Sequence, residues 1–520
     1  EMIRKKIMCS LGLLLTIATI VSSTLIFSGC NYTKKLSPQN SKNHYIVAGV
    51  NLIDVVNQKI IPKQSIEVKQ GKIVRIFQHD KKSLVANNVH TINAKGKYLL
   101  PGLWDMHTVT SMLSPELDYP LYIANGVTSI RSIIACPNEN KTSLYPCFQH
   151  KQQWNQEVLK QEMVGPIIRG SGTFPVNGED HSHPDSPDFH ATKTSEDVQK
   201  LVNYYANINE GMRPFFIKSY NWIQPEAYFE MASEAKKQGI EIGGHMPRKV
   251  GLMKAIDAGQ RSFAHARLFL FDCSKYAAEL REGKHWDKPL ADLYRLLIDS
   301  FDEKNCAEKY RYLAEHDVYL SPTLLTRRND YLAVAEQESD VEGLEYTHYI
   351  IRLEWSEDIA GLTDRGLSDA PIFKEFYELA AKTIVDAHRH GVKVMVGTDA
   401  NDVYVVPGFS LHEEMKALNN AGMSAFDILT AATLVPAQYF KMDKHLGSIE
   451  EGKDAEFILL HDNPVSNIAH AKNINMVFQG ETIYDEKEID ELKSHVKESS
   501  GSHRILFYVL SMWLKNPAGF

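Results

Sequence analysis

Five residues close short apolar runs along the chain: His107, Lys218, His245, His265 and Asp399. Any single one of the 21 histidines is most simply a solvated or hydrogen-bonded side chain. Five polar closers at successive runs are a different proposition. Imidazole nitrogens and carboxylate oxygens are donors for zinc or a similar divalent ion. A lysine ammonium is a poor donor, but its carbamate with CO2 is an anionic oxygen ligand. The set therefore has the chemistry of a divalent metal centre, with zinc first among the candidates and one or two ions to be held.

The elements that must position these residues repeat one unit: an amphipathic helix, a glycine, a short apolar strand and a polar closer. Thr194 and Asp197 have capping-box spacing, and Val198, Leu201, Val202 and Tyr205 follow at helical intervals. Tyr228, Met231, Ala232 and Ala235 line the next helix. Gly239 stops it, and Ile240–Gly244 leads to His245. Phe376, Ala380, Ile384 and Ala387 precede Gly391, after which Val392–Thr398 leads to Asp399. Strands starting near Leu99, Val127, Ile167, Phe215, Ile242, Phe263, Tyr319 and Val394 make about eight, the number of a (β/α)8 TIM barrel. In such an α/β fold the closers gather at the carboxyl mouth. An open doubly wound sheet is the alternative, and it would scatter them.

The flanks differ. Residues 45–97 and 443–488 are short β-rich runs, expected to form one small composite β-sandwich domain from both ends, with the barrel occupying 98–442. Residues 270–315 and 325–375 have the pattern of charged helical insertions around the seventh strand. Arg4, Lys5 and Lys6 followed by the uncharged run Ile7–Phe27 are expected to be a signal peptide over 1–29, and Asn31–Lys42 lies in a polar tether over 30–44. Ser28-Gly29-Cys30 resembles a bacterial lipobox, which implies a membrane-anchored lipoprotein lipidated at Cys30, on the periplasmic or extracellular face. An uncleaved transmembrane anchor is the other reading. The tail 489–520 contains Ile505–Leu514, too short to span a bilayer and expected to pack on the domain. The 520 residues, 43% hydrophobic with net charge −8, carry no basic excess that would point to nucleic acid.

The ordered motifs resemble the amidohydrolase superfamily, in its imidazolonepropionase-like and prolidase-like branch, over roughly residues 45–485. They are Pro101-Gly-Leu-Trp-Asp-Met-His107, Ala124–Arg131, Phe216-Ile-Lys218, Gly244-His245-Met-Pro247, Gly397-Thr-Asp-Ala400, Ser410–Met415, Ala431-Ala-Thr433 and Gly447–Ala455. The resemblance implies a metal-dependent hydrolase of C–N bonds in small substrates, such as an Xaa-Pro or N-acyl dipeptide or a cyclic amide. It implies that His107 is a metal ligand and Lys218 a carboxylated, metal-bridging lysine. His245 and His265 would be ligands of a second metal, and Asp399 both ligand and proton acceptor. One position departs: where the family has His-x-His, this chain has His107-Thr108-Val109. Valine cannot bind metal. A mononuclear centre, a repaired centre and a catalytically silent, ligand-binding lipoprotein are the three outcomes. Thr108, Thr110 and His181-Ser-His183 are the candidates for repair.

Other motifs carry less. His412-Glu413-Glu414-Met415-Lys416 lacks the second histidine of a zincin helix, and Leu411, Met415 and Leu418 give it core spacing. Gly170-Ser-Gly172 lacks a third glycine. Cys136 with Cys147, and Cys273 with Cys306, are expected to form two disulfides in an oxidising compartment, with four buried thiols as the alternative. Oligomeric state, a homo-oligomer included, is open at this level.

Overall fold

The computed structural model describes residues 33–79, 89–137, 143–178, 190–192, 194–208, 213–332, 336, 339–364 and 371–515. The segment expected to be a signal peptide, Cys30 and His181-Ser-His183 lie outside the described residues. Among the described residues no helix is long and apolar enough to cross a membrane.

The strands of the first flank are β1 (His44–Asp54), β2 (Lys59–Lys69), β3 (Lys72–Gln78), β4 (His90–Asn93) and β5 (Tyr98–Pro101). The central strands are β6 (Leu103–Thr108), β7 (Val127–Ser132), β8 (Ile167–Ser171), β9 (Val176–Gly178), β10 (His190–Thr192), β11 (Phe216–Ser219), β12 (Glu241–Gly244), β13 (Gln260–Ala264), β14 (Tyr319–Ser321) and β15 (Lys393–Val394). The second flank gives β16 (Glu456–Leu460), β17 (Ile474–Gln479) and β18 (Thr482–Tyr484).

Both flanks join one eight-stranded sheet, ordered β18-β17-β16-β5-β1-β2-β3 with β4 paired to β1. Strands of both flanks thus share one hydrogen-bonded path across the sheet. Its apolar face collects Tyr45, Val47, Val50, Ile66, Val68, Leu99, Phe457, Leu459 and Phe478. The pairing of β5 with β16, Phe457 opposite Pro101 and Leu459 opposite Leu99, ties the two ends together.

The central strands are parallel in two sheets, β10-β9-β11-β12-β13-β14-β15 and β6-β7-β8. Backbone bonds connect the sheets at both seams. Phe215 N donates to Ser171 O at 2.8 Å and Thr173 N to Phe216 O at 3.1 Å; Met106 N donates to Val396 O at 2.9 Å and Asp399 N to His107 O at 2.7 Å. Strands buried on both faces read as continuous apolar runs. That continuity explains the one displaced start. The run through Tyr98–Trp104 looks like a single strand, but Tyr98–Pro101 pairs with β16 and the first parallel strand begins at Leu103. Gly102 makes the transition, because a Cβ there would sit 2.3 Å from Thr128 Oγ1.

Helices cover the strands as their periodicity requires. Ser195–Ala206 is capped reciprocally by Thr194 and Asp197, with bonds of 3.2 and 3.0 Å. Helix Pro225–Gln238 ends at Gly239, whose φ of +68° is the left-handed stop expected there. Helices between Leu268 and Glu315, and from Leu324 to Arg389, fill the two insertions around β14. Cys136–Cys147 and Cys273–Cys306 are both disulfide-bonded. The helix His503–Lys515 packs Ile505 against Leu113, Leu117, Leu121 and Val496 while leaving Phe507 and Leu514 exposed.

Candidate active site

The five expected residues arrive from five strand ends. His107 lies on β6 and Lys218 on β11, while His245, His265 and Asp399 follow β12, β13 and β15. All four basic side chains are buried, with 1 to 6% of their surface exposed. The geometry groups them as a trio and a pair. One ligand atom each from His107, His265 and Asp399 lie within 4.8 Å of one another. His107 Nε2 is 3.3 Å from Asp399 Oδ1, and His265 Nδ1 is 3.9 Å from Asp399 Oδ2. The ring of His245 stacks on that of His265 at 4.4 Å between centroids. His245 and Lys218 line, with His265 and Asp399, one cavity of about 410 Å³.

The loops that aim these side chains hold unusual backbone. His265, Asp399 and Thr323 have φ values of +69°, +69° and +46°. Non-glycine residues occupy that region at a cost of about 1–3 kcal/mol each, and such strain gathers at functional sites. Thr323 hydrogen-bonds His265 Nδ1 at 2.7 Å, and the Asp399 amide bonds back to the strand bearing His107. Gly397 permits this approach, since a Cβ would meet Ser321 Oγ at 2.3 Å and His107 N at 2.8 Å.

Charge in the site follows burial and neighbours. Burial pushes the Lys218 amine down to about 8, with Asp399 opposing and Arg131 assisting. Burial would raise the Asp399 carboxyl, but His107, Lys218 and Arg267 together hold it below the usual carboxylate range. Burial drives His245 and His265 well down, so both rings are neutral donors. Asp402, three residues on, is pushed up to about 7 by burial and by Asp399.

Several contributors carry weaker sequence signals. Asp105 is fully buried and accepts from the amides of His107 at 3.2 Å and Thr398 at 3.1 Å, and from Thr398 Oγ1 at 2.6 Å. It locks β6 to the Asp399 loop; an acid inside the apolar run Leu-Trp-Asp-Met was its signal. Arg267, Arg327 and Asp402 line the cavity from loops whose sequence gives no periodic signal.

Val109 lines the same cavity. Its amide donates to Ala400 O at 2.5 Å, and its carbonyl accepts from Asn401 Nδ2 at 3.1 Å. The trio that could hold a metal ion includes, among the described residues, no residue standing in for the histidine expected at 109. Thr110 Oγ1 is 2.7 Å from Ser132 Oγ, and Thr108 Oγ1 donates to Arg131 O at 3.2 Å, so both hydroxyls are occupied elsewhere. His412 bonds Asn125 O at 3.0 Å within the buried face of helix Phe409–Asn420, a packing role. Gly170 and Gly172 serve close packing against Phe440 and Phe216.

Residues 152–483 match the amidohydrolase family. No curated protein matches the chain. Among solved structures, bottromycin amidohydrolase is similar at TM-score 0.67 and 18% identity, over 88% of this chain and 91% of that one. A putative prolidase from Bifidobacterium longum is similar at TM-score 0.59 and 20% identity, covering 88% and 99%. A Xaa-Pro dipeptidase with bound methionine gives 0.58 and 19%, covering 85% and 100%. At these identities the likeness is one of fold.

Proposed function

The chain belongs to the amidohydrolase family, and from that premise we propose that it is a metal-dependent hydrolase cleaving a C–N bond in a small substrate such as an Xaa-Pro or N-acyl dipeptide. The observation that carries this reading is the buried His107–His265–Asp399 trio beside a cavity of about 410 Å³. That volume suits a small organic molecule.

The residues fit a divalent ion. Nε2 of His107, which faces Asp399, and Nδ1 of His245 are buried and make no hydrogen bond among the described residues. Leaving such groups unsatisfied costs about 1–3 kcal/mol each, and a metal ion would supply the missing partner. His107, His265 and Asp399 would hold one ion; His245 and a carboxylated Lys218 would serve a second. When bound, a zinc-like ion lowers the pKa of water, polarises the amide carbonyl and stabilises the developing oxyanion.

The chain's own residues supply the proton transfers. Asp399, kept ionised by His107, Lys218 and Arg267 despite burial, accepts a proton from the attacking water. It then delivers that proton to the leaving nitrogen. Lys218, brought down to about 8, has a neutral amine fraction that can add CO2, losing a proton to become the carbamate. Asp105 and Thr323 hold His107 and His265 in register for this work.

The same reading extends to architecture and location. The two seams of backbone bonds support one closed (β/α)8 barrel over 103–442, with 45–101 and 443–488 as its companion domain, four residues of the first flank beyond the boundary at 97 expected from patterning. The apolar run before Ser28-Gly29-Cys30 supports export and lipid attachment at Cys30. Val109 supports a second reading, a silent barrel that binds a small ligand.

Metal analysis of the purified full chain decides between them. About one or more equivalents of zinc, manganese or iron is expected, and less than about half an equivalent would favour the silent barrel. In a screen of Xaa-Pro and N-acyl dipeptides, Asp399→Asn and His245→Ala should abolish whatever turnover the wild type shows. Unchanged turnover would remove the catalytic assignment.

A further inference from the structure

We propose that helix His503–Lys515 is a membrane-docking element, which lies in the surface of a lipid bilayer and fixes the side of the molecule that faces it. The choice of a bilayer as occupant rests on the lipid attachment at Cys30 read above.

An outer helix ordinarily packs one apolar stripe and shows water a polar one. The preceding helix, Glu486–Ser500, does so: it packs Ile489, Leu492 and Val496 and exposes Lys487, Asp490, Glu491, Lys497 and Glu498. Helix His503–Lys515 does not. From Ile505 to Leu514 it carries no charge. Ile505 and Met512 are buried, and Tyr508 and Val509 pack with Ile505 on Leu113, Leu117, Leu121 and Val496. On the other side Phe507 and Leu514 are 46% and 66% exposed, with Leu510 half-buried between them. Phe507, Leu510 and Leu514 have the i, i+3, i+7 spacing of one helix face. The helix is therefore apolar on two faces, and protein covers one.

Lipid covers the second face on two grounds. The first is where the chain leading from Cys30 arrives. The Lys34 amide donates to Glu116 Oε2 at 2.7 Å, and Arg504, in the first turn of the helix, pairs with Oε1 of the same carboxylate. Cys30 lies four residues before Lys34, a stretch of at most about 14 Å of chain. A lipid on Cys30 thus brings the bilayer surface close to the start of the helix.

The second ground is the length and the ends of the helix. Its 13 residues make about 20 Å, shorter than a hydrocarbon core of about 30 Å, so it lies along the surface instead of spanning. Lys515 is exposed at the far end. A lysine there keeps its ammonium among lipid phosphates while the apolar face sinks past the headgroups. A lipid alone would leave the molecule free to swivel about its tether, and the helix gives a second point of contact. Because Ile505 packs on Leu113 and Leu117, just beyond the strand that bears His107, docking turns that rim of the molecule to the bilayer.

The test uses the full chain reconstituted in vesicles of phosphatidylethanolamine and phosphatidylglycerol. An environment-sensitive fluorophore is attached at Leu514→Cys or at Met253→Cys, an exposed position on the helix after β12, with the parent chain as the labelling blank. A nitroxide carried on the lipid is expected to quench the probe at 514 at least about twofold more than the probe at 253. Phe507→Glu with Leu510→Glu should bring the two probes to equal quenching. Where that pair loses native circular dichroism, Phe507→Ser with Leu510→Ser takes its place. Equal quenching at both positions without these substitutions, or stronger quenching at 514 that survives them, overturns the docking helix. So does a probe at 514 shielded from aqueous iodide but not quenched by the lipid, the outcome expected if a second copy covers the face. Mass spectrometry of the peptide containing Cys30 reads the attachment separately. Quenching at 514 in a chain whose Cys30 is unmodified overturns the lipid reading and leaves the helix standing, whereas a lipidated Cys30 without quenching at 514 overturns the helix alone.

Discussion

Val109 occupies the wall of the cavity that Lys218, His245 and Asp399 also line, and its side chain has no donor atom. If this position accounts for a lost ligand, Val109→His should raise bound metal by about one equivalent per chain. Unchanged metal content after that substitution would remove Val109 from the account of the site. A second residue-scale prediction concerns pH. Burial pushes the His412 ring down to about 4, against an unfolded value of about 6.5. The neutral ring's stabilising contribution is therefore complete above about pH 6.5 and is lost as pH falls towards 4, because the unfolded chain takes up the proton first. The loss for this one group reaches at most about 3 kcal/mol. Urea unfolding of the wild type and His412→Gln across that range checks it: the variant should show a shallower decline. The chemistry-bearing residues themselves were legible, because a polar side chain that closes an apolar strand contrasts with its surroundings. Arg248 was not, since an arginine in a loop is ordinarily solvated and only three-dimensional neighbours reveal the aromatic rings around it.

Elements position those residues through close backbone contacts that a side chain would block. Gly102 carries the chain from the flank sheet into β6 against Thr128. Gly102→Ala should lower stability by about 1–3 kcal/mol through overpacking, read as a reduced Tm. Adding Thr128→Ala should restore part of it, since Thr128 supplies the closest contacts. No recovery in the double variant would place the cost in the backbone instead. Strand and helix boundaries were legible where glycine and capping residues punctuate them, as at Thr194 and Gly239. The start of the first parallel strand was not, because Tyr98–Trp104 is apolar on both sides of the sheet change and periodicity carries no mark of it.

At the scale of the molecule, two disulfides fasten the loops and insertion around the strands. Cys273–Cys306 spans 33 residues and Cys136–Cys147 spans 11. Loop-closure entropy gives about 4 and about 3 kcal/mol respectively. Cys273→Ser with Cys306→Ser should therefore depress Tm more than Cys136→Ser with Cys147→Ser. The reverse order would show that native packing, not chain entropy, sets their contribution.

The sequence by itself determined the kind of chemistry and the grammar of the fold. Donor side chains at strand ends, glycine stops and alternating helix and strand are properties of local order along the chain. Only the tertiary structure decided which donors meet. His107, His265 and Asp399 are separated by more than a hundred residues at each step, yet their ligand atoms come within 4.8 Å. It also decided that both flanks make one sheet and that Arg248 is held among aromatic rings. Such contacts depend on how strands register and loops close, and spacing along the chain does not encode them residue by residue.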